Sequence, residues 1–120
     1  MELGVGLHGE PGRQRTQIMP ADEVIDILMD SIVQDLPYKS GDEVAVMVNG
    51  LGGTPTMEFY VAFRRVAQYL SHRDIRIAKT YIGEYCTSLD MAGCSVSLLK
   101  LDEELKDLLE YPVDIPLKVF

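Results

Sequence analysis

No stretch of the 120 residues is apolar for long enough to span a bilayer, and the N-terminus lacks the charged-then-apolar pattern of an export signal. Basic residues are in short supply: 11 Lys and Arg stand against 19 Asp and Glu, giving a net charge of −8 and a pI near 4.6. Those few are also scattered. Only Arg64 and Arg65 adjoin, and Arg13 and Arg15 flank a single glutamine. This balance excludes a general nucleic-acid binder and a protein held on an anionic membrane surface. Cysteine is scarce as well. Cys86 and Cys94 lack zinc-ligand spacing and read as free thiols, which sets the cytoplasm as the expected compartment. The two histidines, His8 and His72, are far apart in sequence, and no metal-ligand cluster stands out. Internal repeats, low-complexity tracts and linkers are missing too, so the chain reads as one domain. A domain of this size buries roughly two-thirds of its unfolded surface and needs neither disulfide nor metal to hold it together.

Glycine, by contrast, is concentrated. Four of the ten glycines fall in Gly4-Val5-Gly6-Leu7-His8-Gly9-Glu10-Pro11-Gly12, around one histidine. Glycine admits backbone conformations and close approaches that other residues refuse. Pro11 fixes its own φ and biases Glu10 away from helix. The apolar lead-in Leu3 to Leu7 reads as a strand, so His8 is expected at a strand end on a constrained turn. Two readings of His8 stand side by side here: a reactive imidazole, or an ordinary loop histidine. A neutral imidazole in such a turn serves as base or nucleophile. Glu10, two residues on, is placed to orient the ring or to raise its pKa.

Further along, a short strand is expected around Thr16 to Met19. Val24, Leu28, Ile32 and Leu36, with Ile25, Met29 and Val33 beside them, make one wide apolar face and predict a helix over Ala21 to Leu36, stopped by Pro37. Asp22 and Glu23 suit its first turn. Glu43 to Val48 reads as a largely buried strand. It runs into Asn49-Gly50-Leu51-Gly52-Gly53-Thr54-Pro55, with Thr54 as N-cap and Pro55 as first residue of a helix reaching about Ser71. Ile75 to Gly83 and Cys94 to Leu101 read as strands, paired as an antiparallel hairpin across a long connection. Asp102 caps a short helix with Leu105, Leu108 and Leu109, and Pro112 and Pro116 mark an extended tail. The expected fold is a two-layer α/β sandwich, a mixed sheet of about four to six strands with about three helices.

Most candidate chemistry has a plain structural explanation. The loop before the second helix lacks a Walker Gly-Lys-Ser/Thr ending and has the wrong glycine spacing for a dinucleotide, so a tight strand-to-helix turn is preferred over a phosphate cradle. His72 fits a helix end, and Asp102, Glu103 and Glu104 fit a first helical turn. No Gly-x-Ser-x-Gly elbow is present. The polar loop Glu84 to Gly93 reads equally as a ligand or partner loop and as a solvated connection.

Taken in order, G-V-G-L-H-G-E-P-G, N-G-L-G-G-T-P, G-E-Y-C-T-S-L-D-M-A-G-C-S and L-L-K-L-D-E-E-L resemble the substrate-binding subunit of the dihydroxyacetone kinases across nearly the whole chain. The resemblance is to the C-terminal part of a subunit roughly three times longer, so the N-terminal domain is expected to be absent and the chain to be a truncated or proteolysed piece. It implies that His8 binds dihydroxyacetone covalently as a hemiaminal, with Gly9 and Glu10 supporting the turn. It implies no metal site and no cofactor in this chain. ADP or ATP with magnesium is expected on a nucleotide-binding kinase subunit, and the binding subunit is expected to be a homodimer. The family's acid/base and hydroxyl-gripping residues lie in the preceding half, so no catalytic residue is expected here and the isolated chain is expected to be inactive. Co-activators that bind the same ketone share the histidine. They form the second reading, and a purely structural subunit-pairing role forms a third.

Overall fold

The strand β3 (Glu43–Gly50) occupies the centre of the molecule because both of its faces are apolar. Val44, Val46 and Val48 are fully buried on one face, while Ala45 and Met47 join a second cluster on the other. A strand with two apolar faces needs cover on both sides and neighbours on both edges. The computed structural model describes residues 1–6, 10–89 and 91–114.

Along β3, β4 (Arg76–Gly83) pairs in parallel and β5 (Cys94–Leu101) pairs antiparallel, giving a mixed three-stranded sheet in the order β4-β3-β5. The register with β5 is unbroken from Glu43↔Leu101 to Gly50↔Cys94, whereas that with β4 shifts between Val44 and Ala45. The hairpin expected between β4 and β5 is therefore not formed. The two lie on opposite sides of β3, and segment 84–93 crosses over the end of β3 to connect them. Two more strands, β1 (Glu2–Leu3) and β2 (Gln14–Arg15), form a separate antiparallel ribbon. Five strands are thus described, divided between two sheets. β1 covers only the start of the expected Leu3 to Leu7 strand, and β2 precedes the Thr16 to Met19 segment in which a strand was expected.

Helices α1 (Ala21–Asp35) and α2 (Thr56–Ser71) cover the valine face of β3. Ile25 and Met29 of α1 meet Phe59, Ala62, Val66, Tyr69 and Leu70 of α2 there. Leu36 precedes Pro37 and takes up extended backbone (φ −117°, ψ 146°), which ends α1 one residue before the expected boundary. α2 also starts one residue later than expected. Pro55 keeps an extended ψ of 144° and occupies the cap position without a side-chain cap bond.

A polar ladder locks the two helices side by side. Asp22, Asp26 and Asp30 lie one turn apart on α1 and meet Arg64, Arg65 and Tyr69 on α2, with Arg73 just beyond its end, so the helices run in the same direction. Arg65 grips Asp26 with both ends of its guanidinium, at 2.8 and 2.7 Å. Arg73 lies 3.6 Å over the Tyr69 ring, whose hydroxyl donates to Asp30. The Arg65 hydrogen bond holds the Asp26 carboxyl below the usual carboxylate range. Burial first, then the bond to Asp30, push the Tyr69 phenol up to about 12.

The opposite face carries α3 (Glu103–Glu110), whose Leu105 and Leu109 pack on Ala45, Tyr81 and Leu101. Asp102 caps it as expected, accepting from the Leu105 amide at 2.8 Å. The α/β fold with three helices is as the sequence predicts, with two helices on one face of the sheet and a short one on the other.

Candidate functional site

The glycine-rich front of the chain is a two-stranded antiparallel ribbon. At its open end the N-terminal amine donates to the Thr16 carbonyl at 2.7 Å and the Arg13 amide to that of Leu3 at 2.8 Å. Glu2 braces it, accepting from the Gly12 amide at 3.0 Å and from Arg15 Nε at 3.2 Å. The Gly6 amide donates to the Glu10 carbonyl at 3.2 Å, bringing together the residues that flank 7–9. Each described glycine of the ribbon lies beneath a side chain from across it. Gly4 has φ +74° and sits under the Arg13 methylenes, Gly6 sits under Glu10, and Gly12 sits under Glu2. Of the expected binding residues, His8 and Gly9 lie outside the described residues, and Glu10 is exposed.

A second constellation lies at the carboxyl ends of the parallel strands β3 and β4, where open α/β sheets place their ligand crevices. Asn49 is 3 % exposed and is the buried polar residue among those described. Its amide uses all four of its hydrogen-bonding positions. Nδ2 donates to the Cys86 carbonyl (2.8 Å) and to Ser95 Oγ (3.3 Å). Oδ1 accepts from the Tyr85 and Cys86 amides, both at 2.8 Å. One side chain at the end of β3 thereby ties down the ends of both neighbouring strands.

The glycines that follow let loops 50–53 and 84–93 touch. A Cβ at Gly50 would overlap the Glu84 carboxylate and the Phe59 ring. Gly52 has φ +101°, and a Cβ there would stand 2.7 Å from the Ser88 carbonyl. The Leu51 amide donates to the Gly93 carbonyl, the Gly53 amide to Met91 and the Met91 amide back to Leu51, at 3.2, 3.0 and 3.2 Å. Ser88 Oγ donates to the Leu51 carbonyl at 2.6 Å and accepts from the Met91 amide at 3.0 Å. The Leu51 and Gly53 amides are committed to protein carbonyls, and the loop is a strand-to-helix turn clasped to its neighbour. Segment 84–93, read equally as ligand loop or solvated connection, is a built part of the fold. The sequence reading passed over Asn49 itself. Its signal was a polar side chain ending the apolar run Val44 to Val48 directly before a glycine.

The remaining candidates keep structural roles. His72 is exposed at the end of α2, with its amide bonded back to Gln68 at 3.0 Å. Lys106 engages both Glu103 and Glu43, so the acids at the start of α3 serve the helix and its seat on the sheet. Cys86 and Cys94 are free thiols, and burial raises the Cys94 pKa. Among the described residues no group of His, Cys, Asp or Glu side chains gathers closely enough to hold a metal ion. No described helix is long and apolar enough to cross a membrane.

Comparison with known proteins decides the family. The Dak1 domain matches residues 1–117. The chain belongs to the Dak1 family. One relative, the dihydroxyacetone-binding subunit DhaK of PTS-dependent dihydroxyacetone kinase 2 from Listeria innocua, is 47% identical over 116 residues. That alignment covers 97% of this chain and 35% of the relative. The chain thus spans about a third of the length of that relative. Among solved structures, a dihydroxyacetone kinase operon co-activator superposes with a TM-score of 0.83 at 28% identity, covering 91% of this chain and 34% of that one. The dihydroxyacetone kinase of C. freundii in complex with AMP-PNP and Mg2+ superposes with a TM-score of 0.79 at 28% identity. It covers 99% of this chain and 24% of that one. These Dak1 relatives include kinase subunits and a co-activator on one fold, so the family sets the chemistry to be tested and leaves two functional classes.

Proposed function

We propose that this chain is the dihydroxyacetone-anchoring portion of a dihydroxyacetone kinase substrate-binding subunit, corresponding to its C-terminal domain. The observation that carries the reading is the 47% identity to a dihydroxyacetone-binding subunit over 97% of the chain. The chemistry attaches to His8. The imidazole nitrogen that lacks a proton adds its lone pair to the ketone carbon, and a C–N bond forms as the C=O π pair moves onto oxygen. The oxygen takes a proton from solvent, and the other ring nitrogen gives one up, which leaves a neutral hemiaminal. Gly9 and Glu10 support the turn that presents the ring. Addition requires a carbonyl, so polyols such as glycerol are refused. A terminal hydroxyl of the anchored ketone stays free to receive phosphate from a nucleotide-bearing subunit, which holds ADP or ATP with magnesium. The parent subunit acts as a homodimer in the cytoplasm. The isolated chain carries the anchor without the acid/base groups of phosphoryl transfer.

Carbon NMR of dihydroxyacetone labelled at the carbonyl tests this directly. A tetrahedral-carbon signal distinct from the free hydrate is expected with the chain and absent with His8→Ala. No such signal with the native chain would overturn the anchoring role of this segment. Turnover by the chain mixed with a purified nucleotide-bearing subunit would overturn its predicted inactivity.

The likeness to a co-activator structure, at a TM-score of 0.83, supports a second reading as a ketone-binding regulator. Both readings use His8. Phosphorylation of dihydroxyacetone by the complete gene product together with a nucleotide-bearing subunit favours the kinase, and binding without turnover favours the regulator.

A further inference from the structure

Asn49 is the single asparagine of the chain, and a glycine follows it. Asparagine before glycine is a chemically labile pairing, because glycine has no Cβ to shield its nitrogen from the neighbouring side-chain amide. Both members are held in place here by their surroundings. Asn49 supplies donors to the Cys86 carbonyl and Ser95 and an acceptor to the Tyr85 and Cys86 amides, a combination that aspartate lacks. Gly50 is buried, and a Cβ there would overlap the Glu84 carboxylate and the Phe59 ring. The labile pair is thus built into the end of β3, where the same four bonds keep the Asn49 amide committed to other partners.

We propose that Asn49–Gly50 is a deamidation site that is shut while Tyr85 to Ser88 is docked and reacts only when that segment lifts away. The inference is independent of His8. In the open state the Gly50 nitrogen gives its proton to hydroxide and attacks Asn49 Cγ. An N–Cγ bond forms, the Cγ–Nδ2 bond breaks, and Nδ2 takes a proton from water and leaves as ammonia. Water then opens the succinimide. Breaking the N–Cγ bond leaves aspartate at position 49, and breaking the main-chain N–C bond leaves isoaspartate. Aspartate sets a charged oxygen against the Cys86 carbonyl, and isoaspartate adds a methylene to the backbone of β3 beside the Gly50↔Cys94 pair. Neither product can remake the clasp, so one opening becomes permanent.

The test follows the whole chain during incubation under mildly alkaline conditions. Peptide mapping reads the mass gain at Asn49 and the split into aspartate and isoaspartate, and hydrogen exchange at Tyr85 and Cys86 reads opening. Deamidation of the native chain is expected to run at least about a hundredfold slower than that of the chain unfolded in urea. Ser88 donates to the Leu51 carbonyl and accepts from the Met91 amide. Ser88→Ala therefore loosens the segment while leaving the four Asn49 bonds in place. It is expected to speed deamidation and exchange together by about five- to tenfold, the scale of one or two hydrogen bonds. If that variant fails to fold, the native chain in urea below its unfolding midpoint supplies the same comparison. A native rate within about tenfold of the unfolded rate overturns the proposal, as does an unfolded chain that does not deamidate. Faster exchange at Tyr85 and Cys86 with no change in deamidation overturns it too.

Discussion

Replacing Asn49 with alanine removes, in one step, a side chain bonded to the ends of both neighbouring strands. The Tyr85 and Cys86 amides and the Cys86 carbonyl lose their partner in a place where Asn49 is 3 % exposed. Each such bond contributes about 1 kcal/mol net, and a buried group left without a partner costs about 1–3 kcal/mol. Water reaches part of the 84–93 loop, which is exposed at Cys86 and Thr87. The expected loss is therefore about 3–4 kcal/mol, toward the lower end of what these groups permit. A domain of this kind has about 5–15 kcal/mol in all, so the urea midpoint should fall by a large fraction of its value. Asn49→Asp keeps the acceptor for both amides but turns an oxygen toward the Cys86 carbonyl, and should lie between native and alanine. Ser95→Ala should cost about 1 kcal/mol or less alone and close to nothing on top of Asn49→Ala, since the two share a bond. Urea titrations of the five proteins, the double variant included, with hydrogen exchange at Tyr85 and Cys86, measure all of this. A loss under about 1 kcal/mol for Asn49→Ala, or a Ser95 effect undiminished in its background, would refute the clasp as a source of stability.

Two glycines separate backbone cost from packing cost. Gly41 (φ +86°) faces open space, whereas Gly52 (φ +101°) faces the Ser88 carbonyl at 2.7 Å. Gly41→Ala should cost about 1 kcal/mol and Gly52→Ala distinctly more, read as the difference in urea midpoints; equal costs would mean that loop 84–93 yields freely. The Tyr69 phenol is neutral in the fold up to about 12, against an ordinary value of 10.0. A group whose folded pKa is raised holds its proton more tightly when folded. Its contribution is complete below pH 10 and is lost as pH rises through 12, so stability should decline across that window. Ultraviolet titration of the tyrosines should show a late phase near 12 that Tyr69→Phe abolishes, and its persistence in that variant would assign it elsewhere.

The helices and strands of the main sheet were legible because their signals are local. The apolar faces of α1 and α2, the uninterrupted run Val44 to Val48, the limits of β5 and the Asp102 cap each follow from a few neighbouring residues. Strand order did not follow. β4 and β5 are neighbours in sequence and each satisfies the pattern of a hairpin arm, yet β3 takes the position between them. Its two apolar faces and two unsatisfied edges gain more from a central place than either flanking strand would. The site was legible only in part. The glycine runs mark close approaches, but not what approaches: Glu10 over Gly6, Ser88 against Gly52, Phe59 and Glu84 against Gly50.

By itself, then, the sequence determined the α/β class, the helix faces, the Asp102 cap and the order of motifs that places the chain in the Dak1 family. Those depend on periodicity and local sterics, which a chain carries wherever it is folded. Only the tertiary structure decided that β3 lies at the centre, that Asn49 binds the ends of both neighbouring strands, and that the spaces above Gly6 and Gly52 are filled. These are contacts between residues up to 46 positions apart, as for Asn49 and Ser95, and they exist only once the burial of β3 has brought them together.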